Sequence, residues 1–153
     1  MLYRALLEEI PDLIAVSLRD RDDESSGSVG ADLVDKVVDE TPGFHCRKWR
    51  RRHIETYLLW PPAIAAASGL TTPEVEAQLR DNFAVAITSA NFRPSDAPDA
   101  IRDLRGKSVL KEGDAAILGQ VNAGAVDVAR EMDAAVVPDD FRTFLTELSA
   151  LVL

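Results

Sequence analysis

Residues 13–23, Leu-Ile-Ala-Val-Ser-Leu-Arg-Asp-Arg-Asp-Asp, constrain the fold more than any other stretch of the chain. Leu13, Ile14, Val16 and Leu18, with the small Ala15 among them, make an apolar run of strand length that stops abruptly in alternating acids and arginines. Open α/β sheets collect ligands and metals at the carboxyl ends of such strands. In Asp20-Arg21-Asp22 the two carboxylates are two residues apart, so an extended chain turns both to one side, where they can approach a hard cation such as Mg²⁺. Asp23 and Glu24 offer further oxygen ligands or a general base. The same pattern also suits a solvated acidic loop after a core strand.

What flanks this run predicts a parallel crossover unit. Leu2, Ala5, Leu6 and Ile10 recur at helical spacing until Pro11-Asp12 breaks the pattern, so a short amphipathic helix leads into the strand. After the polar turn Ser25-Ser26-Gly27-Ser28, residues 31–40 carry Leu33, Val34, Val37 and Val38 as the stripe of a second helix, ended by Thr41-Pro42-Gly43. A new strand begins at Phe44. Strand, acidic loop, helix and strand in that order favour an α/β sheet.

The next segment concentrates charge of the opposite sign. Arg47, Lys48, Arg50, Arg51 and Arg52 surround Trp49 inside a chain whose formal net charge is -9. That balance argues against nucleic-acid binding by the whole surface but leaves room for a local basic groove. Arginine forks suit phosphate oxygens and Trp49 suits stacking on a base or covering core; a charged edge strand that resists aggregation is the plainer alternative. Glu55, between Ile54 and Tyr57-Leu58-Leu59, either caps, pairs with a neighbouring arginine or serves a site. His45 and His53 have no partners at metal-ligand spacing and read as surface or core histidines.

Asp20-Arg-Asp-Asp at a strand end, followed by Arg52-His-Ile-Glu55-Thr-Tyr-Leu-Leu, resembles the TOPRIM domain of OLD-type (overcoming lysogenization defect) nucleases. Leu104-Arg-Gly106-Lys107-Ser-Val-Leu110 is similar to the glycine-lysine element of that family, and residues 128–148 are similar to its closing helices. The likeness covers most of the chain after residue 12. Thr56 departs from the asparagine usual in the family pattern. The resemblance implies an α/β fold, a partial TOPRIM-like (Rossmann-like) parallel sheet in residues 1–60, with a mostly helical extension over 61–153. It also implies a DNA endonuclease using Mg²⁺ or Mn²⁺. In this reading Asp20, Asp22 and Asp23 hold metal, and Asp20, Asp22, Glu55 and Lys107 are catalytic. Arg47, Lys48, Arg50, Arg51 and Arg52 contact the DNA backbone. An ABC-type ATPase domain, in a full-length protein, and a second copy of the chain are the expected partners.

The same comparison exposes a gap, because a complete TOPRIM domain begins with a strand carrying a catalytic glutamate. This sequence begins at the helix before the Asp-x-Asp strand, as expected of an excised piece or a reduced homologue. A non-enzymatic interaction or dimerisation module is therefore the competing reading. A receiver-type phosphoryl-transfer regulator fits less well, since its acids come from separate strands. Gly106-Lys107-Ser108 lacks the earlier glycine of a Walker loop, which argues against ATP hydrolysis by this chain.

The remaining sequence reads as scaffold. Pro61-Pro62 opens a small-residue helix that Gly69 closes, Thr72-Pro73 caps a helix running through Phe83 into Ala86-Ile87, and residues 91–98 form a loop. A short helix lies within 99–110 around a Gly106-Lys107 turn, 115–121 continue helically, and 125–132 and 139–151 are closing helices. With 46% hydrophobic residues, a chain of this length buries about two-thirds of its unfolded surface without a staple. The single cysteine, Cys46, and the lack of an apolar run near the roughly 20 residues of a membrane span point to a cytoplasmic protein that does not enter the membrane.

Overall fold

A computed structural model describes residues 2–38 and 41–152. Helix α1 (Leu2–Glu9) leads through Pro11 into strand β1 (Ala15–Arg19), which pairs in parallel with β2 (Phe44–Lys48). The register sets Ala15 opposite Phe44 and Arg19 opposite Lys48. Tyr3 anchors α1 by donating its hydroxyl to the Leu13 and Pro42 carbonyls and stacking on Phe44 at 4.9 Å. The α/β class expected from the sequence is present, as a small parallel pair followed by a helical C-terminal region.

The crossover between the strands departs from expectation. Residues 31–38 are turns rather than helix, and residues 39 and 40 of the expected helix lie outside the described residues. Asp32 and Asp35 accept the backbone N–H groups of Val34 and Val37, an Asx arrangement that competes with helical bonding. The segment also serves the far edge of β2. Lys48 N–H donates to the Leu33 carbonyl, Asp35 N–H to the Cys46 carbonyl, and Val34 bridges Arg47 antiparallel. A helix would leave those β2 groups without partners. Leu33, at φ +56°, is buried, whereas Val37 is 74% exposed.

Beyond β2 the chain turns through a 3₁₀ helix (Ile54–Leu58) into α2 (Pro61–Ser68) and α3 (Thr72–Phe83). Gly69, at φ +79°, ends α2 with its N–H on the Ala65 carbonyl. Thr71 rather than Thr72 caps α3, because Glu74 reaches back to the Thr71 N–H and hydroxyl in a capping box. That helix ends at Ala84, so residues 86 and 87 lie outside it. Short helices follow as α4 (Ser89–Phe92), α5 (Asp99–Arg102), α6 (Gly106–Leu110) and α7 (Ala125–Arg130), before the long α8 (Asp139–Val152). Residues 115–121 form turns instead of the expected helix. Ile117 and Leu118 bond to the Val109 and Leu110 carbonyls, and Lys111 Nζ gathers the carbonyls of Leu118, Val121 and Ala123.

Two apolar clusters hold these elements together. The larger includes Leu59, Ile64, Val75, Leu79, Phe92 and Leu118, and the smaller joins Val29, Leu33, Trp49, Tyr57 and Phe144. Arg51 sits between them. Its guanidinium lies 4.3 Å from the Phe92 ring centre and 4.8 Å from that of Tyr57, and it donates to the Thr56 and Phe92 carbonyls. Burial lowers its pKa and raises that of Tyr57, whose hydroxyl donates to Asp140 at 2.6 Å. The Asp140 carboxyl, also buried, is shifted upward by desolvation. No helix among the described residues is long and apolar enough to cross a membrane.

Candidate phosphate-binding pocket

The acidic run does not continue β1 as extended chain. Arg21 is 1% exposed and turns inward, donating to the carbonyls of Arg50 at 3.1 Å and Arg102 at 3.0 Å and pairing with Asp103. Burying that side chain turns the chain, and Asp22 takes a left-handed conformation at φ +52° with its N–H on the Arg52 carbonyl. The premise that Asp20 and Asp22 point to one side therefore fails at the backbone. Asp20 Oδ1 accepts the Ile54 N–H at 3.1 Å and ties the end of β1 to the 3₁₀ helix. Asp22 lies 3.8 Å from His53 Nε2, while Asp23 pairs with Arg52 and lies 3.6 Å from Arg105.

Asp22 and Asp23, but not Asp20, open on one pocket of about 210 Å³, lined also by Arg52, His53, Arg105, Lys107, Ser108 and Glu112. It joins four of the residues singled out in the sequence, Asp22, Asp23, Arg52 and Lys107, from three separate segments. An adjoining pocket of about 310 Å³ shares Lys107 and Glu112 and adds Glu55 and Lys111. Glu55 Oε2 is buried without a hydrogen-bond partner among the described residues. His53, Arg105, Ser108 and Glu112 were not anticipated as a set. Only the adjacency of His53 to Arg52, and of Arg105 and Ser108 to Gly106-Lys107, carried a signal.

Gly106 explains how Lys107 reaches this place. A Cβ on Gly106 would lie 2.4 Å from the Thr56 nitrogen and 2.6 Å from the Glu55 carbonyl carbon, so only glycine lets α6 press against the 3₁₀ helix. Thr56, where the resembling family has asparagine, donates its hydroxyl to the Leu104 carbonyl at 3.0 Å and secures the same junction. The Gly106-Lys107 pair thus begins a helix instead of forming the expected turn.

The basic run divides. Lys48 is 1% exposed and meets Asp35 at 3.0 Å and Glu24 at 2.7 Å; Arg19 also bonds Asp35. The Arg19 bond and that of Lys48 hold the Asp35 carboxyl at about 2, against an ordinary value of 3.8. Hydrogen bonding to Lys48 likewise lowers Glu24. Arg51 is equally buried, Arg50 donates to the Ser95 carbonyl, and Arg47 lies 3.4 Å from Glu147. Of the five, Arg52 lines the pocket.

The carboxylates do not by themselves fit a divalent cation. No group of three or more His, Cys, Asp or Glu residues able to hold a metal occurs among the described residues. Asp20 has one oxygen on a backbone N–H, and Asp23 is engaged by guanidinium groups. Arg52, Arg105 and Lys107 line the pocket together with Asp22, Asp23 and Glu112, a site of mixed charge in which two of the cations are paired with Asp23. Comparison with protein-family models, with curated proteins and with solved structures finds no match for this chain.

Proposed function

We propose that this chain carries the phosphate-binding and lysine-bearing part of a metal-dependent DNA endonuclease site of the OLD-type TOPRIM kind. The convergence of Arg52, Arg105 and Lys107 beside Asp22 in one pocket is the observation that supports this reading most directly. Arg52 and Arg105 bind and orient phosphate oxygens through their planar forks, and Lys107 places a compact charge where negative charge grows during phosphodiester cleavage. Such enzymes use Mg²⁺ or Mn²⁺ to polarise the phosphate and activate water. In this proposal Asp20 and Asp22 would be oxygen donors to that ion; by themselves they do not complete a site for it. An ABC-type ATPase domain in a full-length protein belongs to the same proposal.

The test is binding of a fluorescein-labelled duplex by anisotropy, in chelator and at two salt concentrations. Binding should weaken as salt rises and fall at least about fivefold in Lys107→Ala, since each phosphate contact is worth about 1–3 kcal/mol. Affinity indifferent to Lys107 and Arg105 would sink the proposal. Calorimetry with Mn²⁺ on the native chain and on the Asp20→Asn, Asp22→Asn double variant then asks whether these acids contribute to metal affinity.

A second reading, an interaction module, draws on one specific observation. Leu6 of α1, Ile10 just after it and Ile14 just before β1 are 40%, 51% and 48% exposed, and β1 has a strand neighbour on one side only among the described residues. Sedimentation equilibrium without metal, compared with an Ile10→Asp, Ile14→Asp variant, would reveal self-association through that edge.

A further inference from the structure

We propose that Asp23 is an internal stand-in for phosphate, a carboxylate that occupies the Arg52 and Arg105 guanidinium groups and must be displaced before a nucleic-acid phosphate can bind. The inference rests on the phosphate-binding reading of the pocket and names the residue that regulates access to it.

Three observations carry it. The Asp23 side chain is 81% exposed, yet among the described residues it is paired with these two guanidinium groups and with no other cation. Arg52 is only 18% exposed and is held from behind by the Asp103 carbonyl at 3.5 Å, so the group that meets Asp23 is anchored within the fold. Arg52 Nε is buried without a hydrogen-bond partner among the described residues, which leaves the guanidinium with donor capacity that one carboxylate does not satisfy. A carboxylate and a phosphodiester each offer a guanidinium a pair of oxygens sharing one negative charge in similar geometry. Asp23 therefore competes for the same donors as the ligand and loses to it at a modest cost, because its own pairing is solvent-exposed.

Asp22 provides the internal control. It is 73% exposed, lines the same pocket and carries the same charge, but it faces His53 at 3.8 Å rather than the guanidinium pair. Removing either charge makes the pocket equally more positive, and only removal of Asp23 frees Arg52 and Arg105.

The experiment measures binding of a fluorescein-labelled single-stranded oligodeoxynucleotide, in chelator at low salt, to the native chain, Asp23→Asn, Asp22→Asn and Lys107→Ala. Asp23→Asn should bind about fivefold more tightly than Asp22→Asn, the size expected when an exposed ion pair no longer competes. Asp23→Ala should behave like Asp23→Asn, and circular dichroism should leave all variants indistinguishable. Equal affinities in the two asparagine variants, or weaker binding by Asp23→Asn, overturn the stand-in role while a Lys107 dependence leaves the phosphate pocket standing. Absence of binding by every form, or binding unaffected by Lys107→Ala, overturns both.

Discussion

Two clusters of opposite charges lie a few residues apart in this protein, and they do opposite things. Around Lys48, the acids Asp35 and Glu24 and the cation Arg19 form a network in which Lys48 and Asp35 are both about 2% exposed at their side chains. Around Arg52, the acids Asp22 and Asp23 and the cations Arg105 and Lys107 line an open pocket. The residue types are alike and the sequence neighbourhood is shared. What differs is access of water, which decides whether a charge is committed to its neighbour or remains exchangeable for a ligand. A basic run therefore reports a binding site only at the positions that the fold leaves facing solvent.

Breaking the buried network should have the largest effect. Lys48→Ala leaves Asp35 buried with Arg19 as its remaining cation, and should cost about 3 kcal/mol of stability in urea titration. Replacing both partners, with Lys48→Met and Asp35→Leu, should recover most of that loss, since an apolar pair of similar size needs no compensation. Arg52→Ala should change stability far less. Comparable losses at Lys48 and Arg52 would erase the distinction between the two clusters.

Gly106→Ala should cost roughly 1–3 kcal/mol, because the added methyl overpacks α6 against the Thr56 and Glu55 backbone. It should also weaken oligonucleotide binding by moving Lys107, although it removes no charge. A variant as stable and as tightly binding as the native chain would show that the junction yields easily.

Acid titration sharpens the same contrast. Asp35 has a folded-state pKa near 2 and an ordinary value of 3.8, so its contribution is present above about pH 4 and disappears as the pH falls toward 2. The loss amounts to about 2 kcal/mol and should be absent from Asp35→Asn, whose stability is already lower at neutral pH. A parallel pH profile for the two proteins between pH 4 and 2 would remove Asp35 as the source.

Lys107→Ala should have the smallest effect on folding, within about 0.5 kcal/mol for an exposed side chain, with the loss confined to nucleic-acid binding. A large stability loss there would make Lys107 a structural residue like Lys48.

The local features were legible because their causes are local. Pro11 cannot continue the helix before it and Gly69 closes α2 in a left-handed cap, the apolar run from Leu13 announces β1, and Glu74 three residues after Thr71 marks a helix start within one residue of the expected cap. The stripe Leu33, Val34, Val37 and Val38 misled, since its helical spacing competed with Asx bonds from Asp32 and Asp35 and with the open edge of β2. The Asp-x-Asp spacing misled for a related reason. Arg21 is drawn into the interior by the Arg50 and Arg102 carbonyls and Asp103, and that turns Asp22 out of the strand.

Sequence by itself determined that acids follow β1, that cations follow β2 and that a glycine precedes Lys107, together with the order of elements that carries them. Tertiary structure alone decided which charges are spent. Lys48 and Arg51 go inward while Arg52 and Lys107 reach one pocket, because pairing, burial and the close approach at Gly106 depend on groups distant in the chain. Charge is a property of a residue, but its availability is set by the neighbours that desolvate or neutralise it.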